Sequence, residues 1–179
     1  VVALRGFLEG VAVGVVAAVV LFVINYSRTS VIKHALSGAN FRSRVNRSLD
    51  QRAMLDAEGQ QLYILELQGF IFFGTANSLY EEVKKRVLDQ ALPPARFVVL
   101  DFSRVTGLDS TGLLSFDKLW SLTKEQDSTL IFSGLDKLGV QHVSIHDQLT
   151  RGGFVEQADA LRFFPDLDHS VEWCEDQIV

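Results

Sequence analysis

The chain has 179 residues, with 17 Lys and Arg against 22 Asp and Glu for a formal charge of −5. That length allows one compact domain beside an apolar head, and the charge offers no basic footprint for nucleic acid. The lone cysteine, Cys174, excludes an internal disulfide and suits a reducing compartment.

Gly10 to Ile24 reads GVAVGVVAAVVLFVI without a charge. A spanning helix needs about 20 mostly apolar residues, and Val1 to Leu8 completes the span upstream if Arg5 and Glu9 pair at i,i+4. Gly6, Gly10 and Gly14 form a small-residue stripe of the kind that lets helices approach closely in lipid. A secretory signal would carry its basic residues before the apolar run. Here Arg28, Lys33, Arg42, Arg44 and Arg47 follow it without an intervening acid. Residues 1–26 are therefore expected to be a membrane helix rather than a core helix, and by the positive-inside rule everything after Tyr26 is cytoplasmic. Val1 is no initiator Met and lies inside the apolar segment, so the sequence reads as a piece of a longer protein.

Residues 27–58 are expected to form a basic, partly helical cytoplasmic linker, its cations serving topology and attraction to anionic headgroups. From residue 59 to 179 the pattern is that of a folded domain. Leu62 to Leu67 reads as a strand, Gly69 as a turn, and Phe70 to Phe73 as a second short strand, together a hairpin. Ala76 to Gln90 has helical spacing and is closed by Pro93-Pro94. Arg96 to Phe102 is a buried strand, followed by a turn at Thr106-Gly107 and a helix through Leu122. Ser128 to Ser133 is the next strand, Leu138 to Leu149 a helix, Leu161 to Phe164 a strand and Asp168 to Ile178 a helix. Strands alternating with helices predict an α/β fold, a sheet covered by helices.

The segment Gly107-Leu108-Asp109-Ser110-Thr111-Gly112 joins a buried strand to a helix, where α/β proteins place ligands and switches. Its G-x-x-x-x-G spacing invites a phosphate-loop reading, but Leu113-Leu114 stands where Lys and Ser or Thr are required. Asp109 or Ser110 is expected to N-cap the helix. His142 and His146 at i,i+4 lack a third ligand, so no metal site and no cofactor is expected. Cys174 beside Trp173 reads as packing rather than a nucleophile.

Asp109-Ser110-Thr111-Gly112 after the strand FVVLDFS resembles the D-S-[ST]-G signature of STAS domains, found in anti-sigma-factor antagonists and at the C-termini of SulP anion transporters. LELQGFIFFGTAN, the helix to Gln90 and DLDHSVEWCED resemble the SulP type, and Val1 to Ile24 resembles its final membrane helix. The resemblance implies a mainly parallel sheet packed by about four helices beneath a secondary transporter of sulfate, bicarbonate or a similar anion. It implies no enzyme, a homodimer, an upstream membrane domain, and a regulatory partner at Asp109–Gly112. The serine phosphorylated in the antagonists corresponds to Ser110, with Asp109 and Thr111 beside it and Gly107, Leu108 and Gly112 shaping the turn. Some SulP-type proteins continue into a cyclic-nucleotide-binding domain. The competing readings are a membrane-tethered antagonist-like signalling module and an enzyme acting on nucleotides at the turn.

Overall fold

The computed structural model describes residues 2–27, 30–135, 145–156 and 160–179. The chain forms two compact units, residues 1–30 and 31–179.

The first unit is one helix, α1 (Val2–Ser27). It is apolar on every side, as expected where valines, alanines and glycines repeat without a polar face. Its described side chains, residues 6–21, are exposed. Among the described residues no helix is long and apolar enough to cross a membrane, so the expected span lacks structural support.

The second unit is a sheet in the order β1-β2-β3-β4-β5. Its strands are β1 (Ile32–Ser37), β2 (Leu62–Ile71), β3 (Phe97–Leu108), β4 (Thr129–Ser133) and β5 (Leu161–Phe164). β1 runs antiparallel to β2, and all other pairs are parallel. The helices are α2 (Leu49–Glu58), α3 (Phe73–Val87), α4 (Ser110–Glu125), α5 (Ile145–Arg151) and α6 (Leu167–Asp176). The α/β class and the mainly parallel sheet are as expected.

Three local expectations are corrected. Residues 31–58 are not a connector, because β1 and α2 lie inside the compact unit. Ser48 starts α2 with a reciprocal cap: its Oγ accepts from the Gln51 N–H while Gln51 Oε1 accepts from the Ser48 N–H. The expected hairpin is a single strand. β2 continues past Gly69, which takes φ +73°, and pairs with β3 as far as Ile71 against Leu108. A parallel neighbour accommodated by register shifts on both sides of Gln68 and Gly69 replaces the chain reversal that glycine suggested. Phe72 and Phe73 then leave the sheet: Phe72 caps α3, its N–H donating to Thr75 Oγ1 at 3.0 Å. Thr106-Gly107 is likewise no turn, since β3 runs through to Leu108. The helix expected from Leu138 lies partly outside the described residues; its later part is α5.

Each face of the sheet has its own core. Under α3 and α4 lie Leu65, Leu100, Phe102, Phe116 and Phe132. The rings of Phe102 and Phe116 each stand edge-on to Phe132, at centroid distances of 5.6 and 5.9 Å, the arrangement aromatic quadrupoles favour. On the other face α6 buries Val171 and Cys174 against Ile64, Val99 and Ile131.

Two of the three arginines of 42–47, Arg42 and Arg47, are paired through their side chains inside this unit. The Glu175 carboxylate, almost wholly buried, accepts from the Ser43 N–H at 3.0 Å, from Ser43 Oγ at 2.5 Å and from Arg47 Nε at 2.9 Å. Arg47 also donates to Asp176 at 2.8 Å and to the Glu172 carbonyl at 3.2 Å. Burial alone would lower the pKa of the Arg47 guanidinium, but hydrogen bonds and charge from Asp176 and Glu175 outweigh it and hold the group above its ordinary value. The Arg44 N–H donates to Asp168, and Arg42 pairs with Asp56 at 2.8 Å. The segment after β1 is thus strapped to α6 and α2.

Candidate functional site: the strand-to-helix turn at Asp109

β3 outruns β4. Their pairing stops at Asp101 against Ser133, while β3 continues beside β2 to Leu108. The end of β3 therefore carries the N-terminus of α4 clear of the rest of the sheet, next to the N-terminus of α3.

The turn itself is one residue long. The Asp109 N–H donates to the Ile71 carbonyl at 3.0 Å, keeping the chain in register with β2 until the helix begins. Asp109 is the N-cap: its Oδ1 accepts from the Gly112 N–H at 2.8 Å and from Thr111 Oγ1 at 2.7 Å. That assignment decides between the two caps the sequence allowed, and it satisfies one of the donors a helix start leaves unpaired. Thr111 ties the two helix starts together, its Oγ1 accepting from the Phe73 N–H at 3.2 Å.

Ser110 is the first residue of α4 and is exposed, as is Thr111. Gly112 is buried, and a Cβ there would lie 2.9 Å from Leu108 Cδ1 and 3.4 Å from the Ile71 carbonyl. Leu108 belongs to the core. Gly107 is covered by the Phe70 ring, whose Cε2 would be 2.7 Å from an added Cβ. The structure thus brings Asp109, Ser110, Thr111 and Gly112 to one exposed corner, with Gly107 and Leu108 behind it as the last residues of a strand.

The same corner holds three exposed apolar side chains. Phe70 is 46% exposed, Phe73 54% and Leu114 64%. Leu114 is four residues after Ser110 and three after Thr111, so all three share a face of α4. Only the amphipathic spacing could have given Leu114 away, since Leu113 beside it already serves the core.

A polar cleft of 690 Å³ lies where β3 passes the end of β4. Asp101 on its wall is 5% exposed and accepts from the Ser103 N–H at 3.1 Å and Ser103 Oγ at 2.7 Å. Gly134, at φ +71°, allows this approach, because a Cβ there would stand 2.6 Å from Asp101 Oδ1. Asp166 caps α6, and its carboxyl is held below the usual range by the His169 N–H and then by the His169 ring. Among the described residues no group of His, Cys, Asp and Glu could hold a metal ion. His142 lies outside the described residues, while His146 packs on Phe163 at 5.2 Å. Burial, and then the charge of Glu175, pushes the Cys174 thiol well above its ordinary range, the opposite of what a nucleophile needs.

Residues 54–169, more than half of the chain, match the STAS domain family, and the chain belongs to that family. It is 26% identical over 179 residues to the vacuolar basic amino acid transporter VSB1 of Saccharomyces cerevisiae, covering 97% of this chain and 17% of that protein. It is 28% identical over 137 residues to Glutaminase 2 of Bradyrhizobium diazoefficiens, covering 76% of this chain and 20% of that protein. The chain therefore spans about a fifth or less of the length of these relatives. Its fold is shared with the murine Slc26a9 anion transporter in the inward-facing state, with a TM-score of 0.56 and 17% identity over 94% of this chain and 26% of that one.

Proposed function

We propose that the chain is the C-terminal part of a SulP-type secondary anion transporter: α1 as its last membrane helix, followed by a cytoplasmic STAS domain that serves assembly and regulation. The observation that carries this reading is the direct succession of an apolar helix, without a charge from Gly10 to Ile24, and a STAS domain. The likeness to Slc26a9 supports it, because a coverage of 94% extends beyond the domain that begins at Val31. The transported species is a small anion such as sulfate or bicarbonate, bound by residues upstream of Val1. The full-length protein is multi-pass in the cell membrane and dimeric.

Within the domain, the Asp109–Gly112 corner is the contact point for a regulatory partner. Ser110 is its candidate for phosphorylation, at a helix start where free N–H groups favour an anion. The domain itself has no catalytic part in this reading. Its cysteine is buried, and the turn lacks the lysine that nucleotide chemistry would need.

Two measurements test the assignment. Proteoliposomes holding the full-length protein should accumulate sulfate or bicarbonate, and removal of residues 31–179 should change the rate or the surface expression. A Met54→Cys label, on an exposed position of α2, should react with impermeant thiol reagents from the cytoplasmic side only. Labelling from outside would reverse the orientation.

A further inference from the structure

We propose that the polar cleft beside the end of β4 is a binding site for a free α-amino acid with an apolar side chain, its ammonium group held at Asp101 and its carboxylate at Arg104 and Arg44. The inference concerns the folded domain alone and stands apart from the transport reading.

The first ground is a buried charge without a counter-charge. Glu66 and Asp101 stand side by side in the β2–β3 register. Glu66 is paired with His34 at 2.8 Å, and across the same cleft Asp166 is paired with His169 at 2.9 Å. Asp101 accepts only from neutral groups, the N–H and hydroxyl of Ser103 and, at 3.5 Å, the hydroxyl of Ser133, and it makes no ion pair among the described residues. A buried carboxylate left so is costly, and this one lines a cleft from which a cation can reach it. An ammonium group suits the place, because its three donors need one carboxylate and neutral acceptors rather than a set of metal ligands.

The second ground is the pair of cations at the same cleft. Between Asp101 and Arg104, β3 advances three residues while β2 advances two, from Glu66 to Gln68. That is a bulge, the device by which a strand re-aims a side chain. Phe102 before it and Val105 after it both enter the core under α3 and α4, so Arg104 falls on the cleft side with Asp101. Arg44 lines the cleft from the segment after β1, where its N–H donates to Asp168 at 3.0 Å. Both arginines are exposed and make no ion pair among the described residues. A guanidinium binds a carboxylate through two parallel N–H bonds. A bare oxyanion fits less well, because Glu66, Asp101, Asp166 and Asp168 line the same space. A ligand that brings its own cation turns those carboxylates from repulsive to attractive.

The cleft measures 690 Å³, inside the range of about 300–1,000 Å³ usual for small-molecule sites. Phe41 and Leu167 line it and pack on the core beneath α6, giving an apolar wall for the ligand side chain. The strap from Ser43 and Arg47 to Glu175 fixes that wall before any ligand arrives, which lowers the ordering cost of binding.

The test is an NMR titration of the full chain in detergent micelles, followed at the Ser103 and Gly134 amides beside Asp101. The probes are L-leucine, leucinamide, N-acetylleucine and sodium sulfate. L-leucine should shift both resonances saturably, and leucinamide and N-acetylleucine, each lacking one charge, should bind about tenfold or more weakly. Arg104→Ala, at an exposed position, should weaken leucine about tenfold with no change in the melting temperature, and Asp101→Asn should do the same to leucine while leaving N-acetylleucine unchanged. If Asp101→Asn does not fold, Arg104→Ala and the two analogues carry the test. No saturable shift with leucine or any other common α-amino acid overturns the site. Sulfate binding in place of leucine binding, or equal affinity for leucine and either analogue, overturns the zwitterion. Unchanged leucine affinity in Arg104→Ala places binding elsewhere and overturns the proposal as well.

Discussion

The Asp109 corner and the strap between Ser43, Arg47 and Glu175 invert each other. At the corner, large apolar side chains face outward while the backbone polar groups are satisfied locally by Asp109 and Thr111. At the strap, two full charges are withdrawn from solvent, with the Arg47 and Glu175 side chains 6% and 2% exposed. Each arrangement costs free energy if left alone: exposed apolar area favours association, and a buried charge requires its partner. The strap carries its compensation within the domain, in five hydrogen bonds already described. The corner does not, which is why it reads as a surface for something else. Substitutions should separate the two, with large stability effects at the strap and small ones at the corner's exposed residues.

The largest effect is expected at Glu175. Removing one member of a buried pair leaves the other uncompensated, a loss of about 3–5 kcal/mol, so Glu175→Ala should lower the urea midpoint strongly and Glu175→Gln less. A loss within about 0.5 kcal/mol for Glu175→Ala would show that the strap is no more than surface decoration.

Gly112→Val should come next. Its Cβ meets Leu108 Cδ1 and its branches press towards Ile71, an overpacking worth about 1–3 kcal/mol, and thermal unfolding of the full chain in detergent should show it. Asp109→Ala removes the cap from the Gly112 N–H and the hydroxyl of Thr111, about 0.5–2 kcal/mol. Ser110→Ala, at an exposed position, should fall within about 0.5 kcal/mol. If Ser110→Ala melts as far below wild type as Gly112→Val, the corner is a structural element and the contrast with the strap disappears.

The smallest expected effect is a pH dependence at the start of α6. The His169 ring lies 2.9 Å from Asp166 and its pKa is raised above the ordinary 6.5, by that hydrogen bond and then by the carboxylate charge. A raised pKa stabilises the fold below the ordinary value, and the contribution is lost as pH rises through the folded value. Asp166 works in the opposite sense: its lowered pKa stabilises above the ordinary carboxylate value and is lost as pH falls through the folded one. The cap is therefore strongest in mildly acidic solution, between those limits. An NMR titration of His169 should show the upward shift, and Asp166→Asn should abolish it.

The likeness of Asp109–Gly112 to a known signature was legible because the motif is local: a cap, a small residue in the first helical turn, and an apolar strand before them. The course of β2 was not. Gly69 and the run Phe70–Phe73 carry the same residues whether the chain reverses or continues, and only a parallel β3 to pair with made it continue. Residues 31–58 were misread for a related reason. Their arginines look like a solvated linker, because the sequence does not display that Glu175, more than a hundred positions away, is buried and waiting for a donor.

The sequence by itself determined the apolar helix, the alternation of strands and helices, the burial of the strand that begins at Arg96, and a helix start at Asp109 or Ser110. All of these depend on neighbours within a few residues, through hydrophobic periodicity and capping. Tertiary structure alone decided that β1 belongs to the sheet, that Arg47 is a core cation, and that Phe70, Phe73 and Leu114 are outside while Asp101 and Glu175 are inside. Burial is set by what lies across the sheet and between helices, and for a side chain in contact with residues far along the chain no local pattern contains that information.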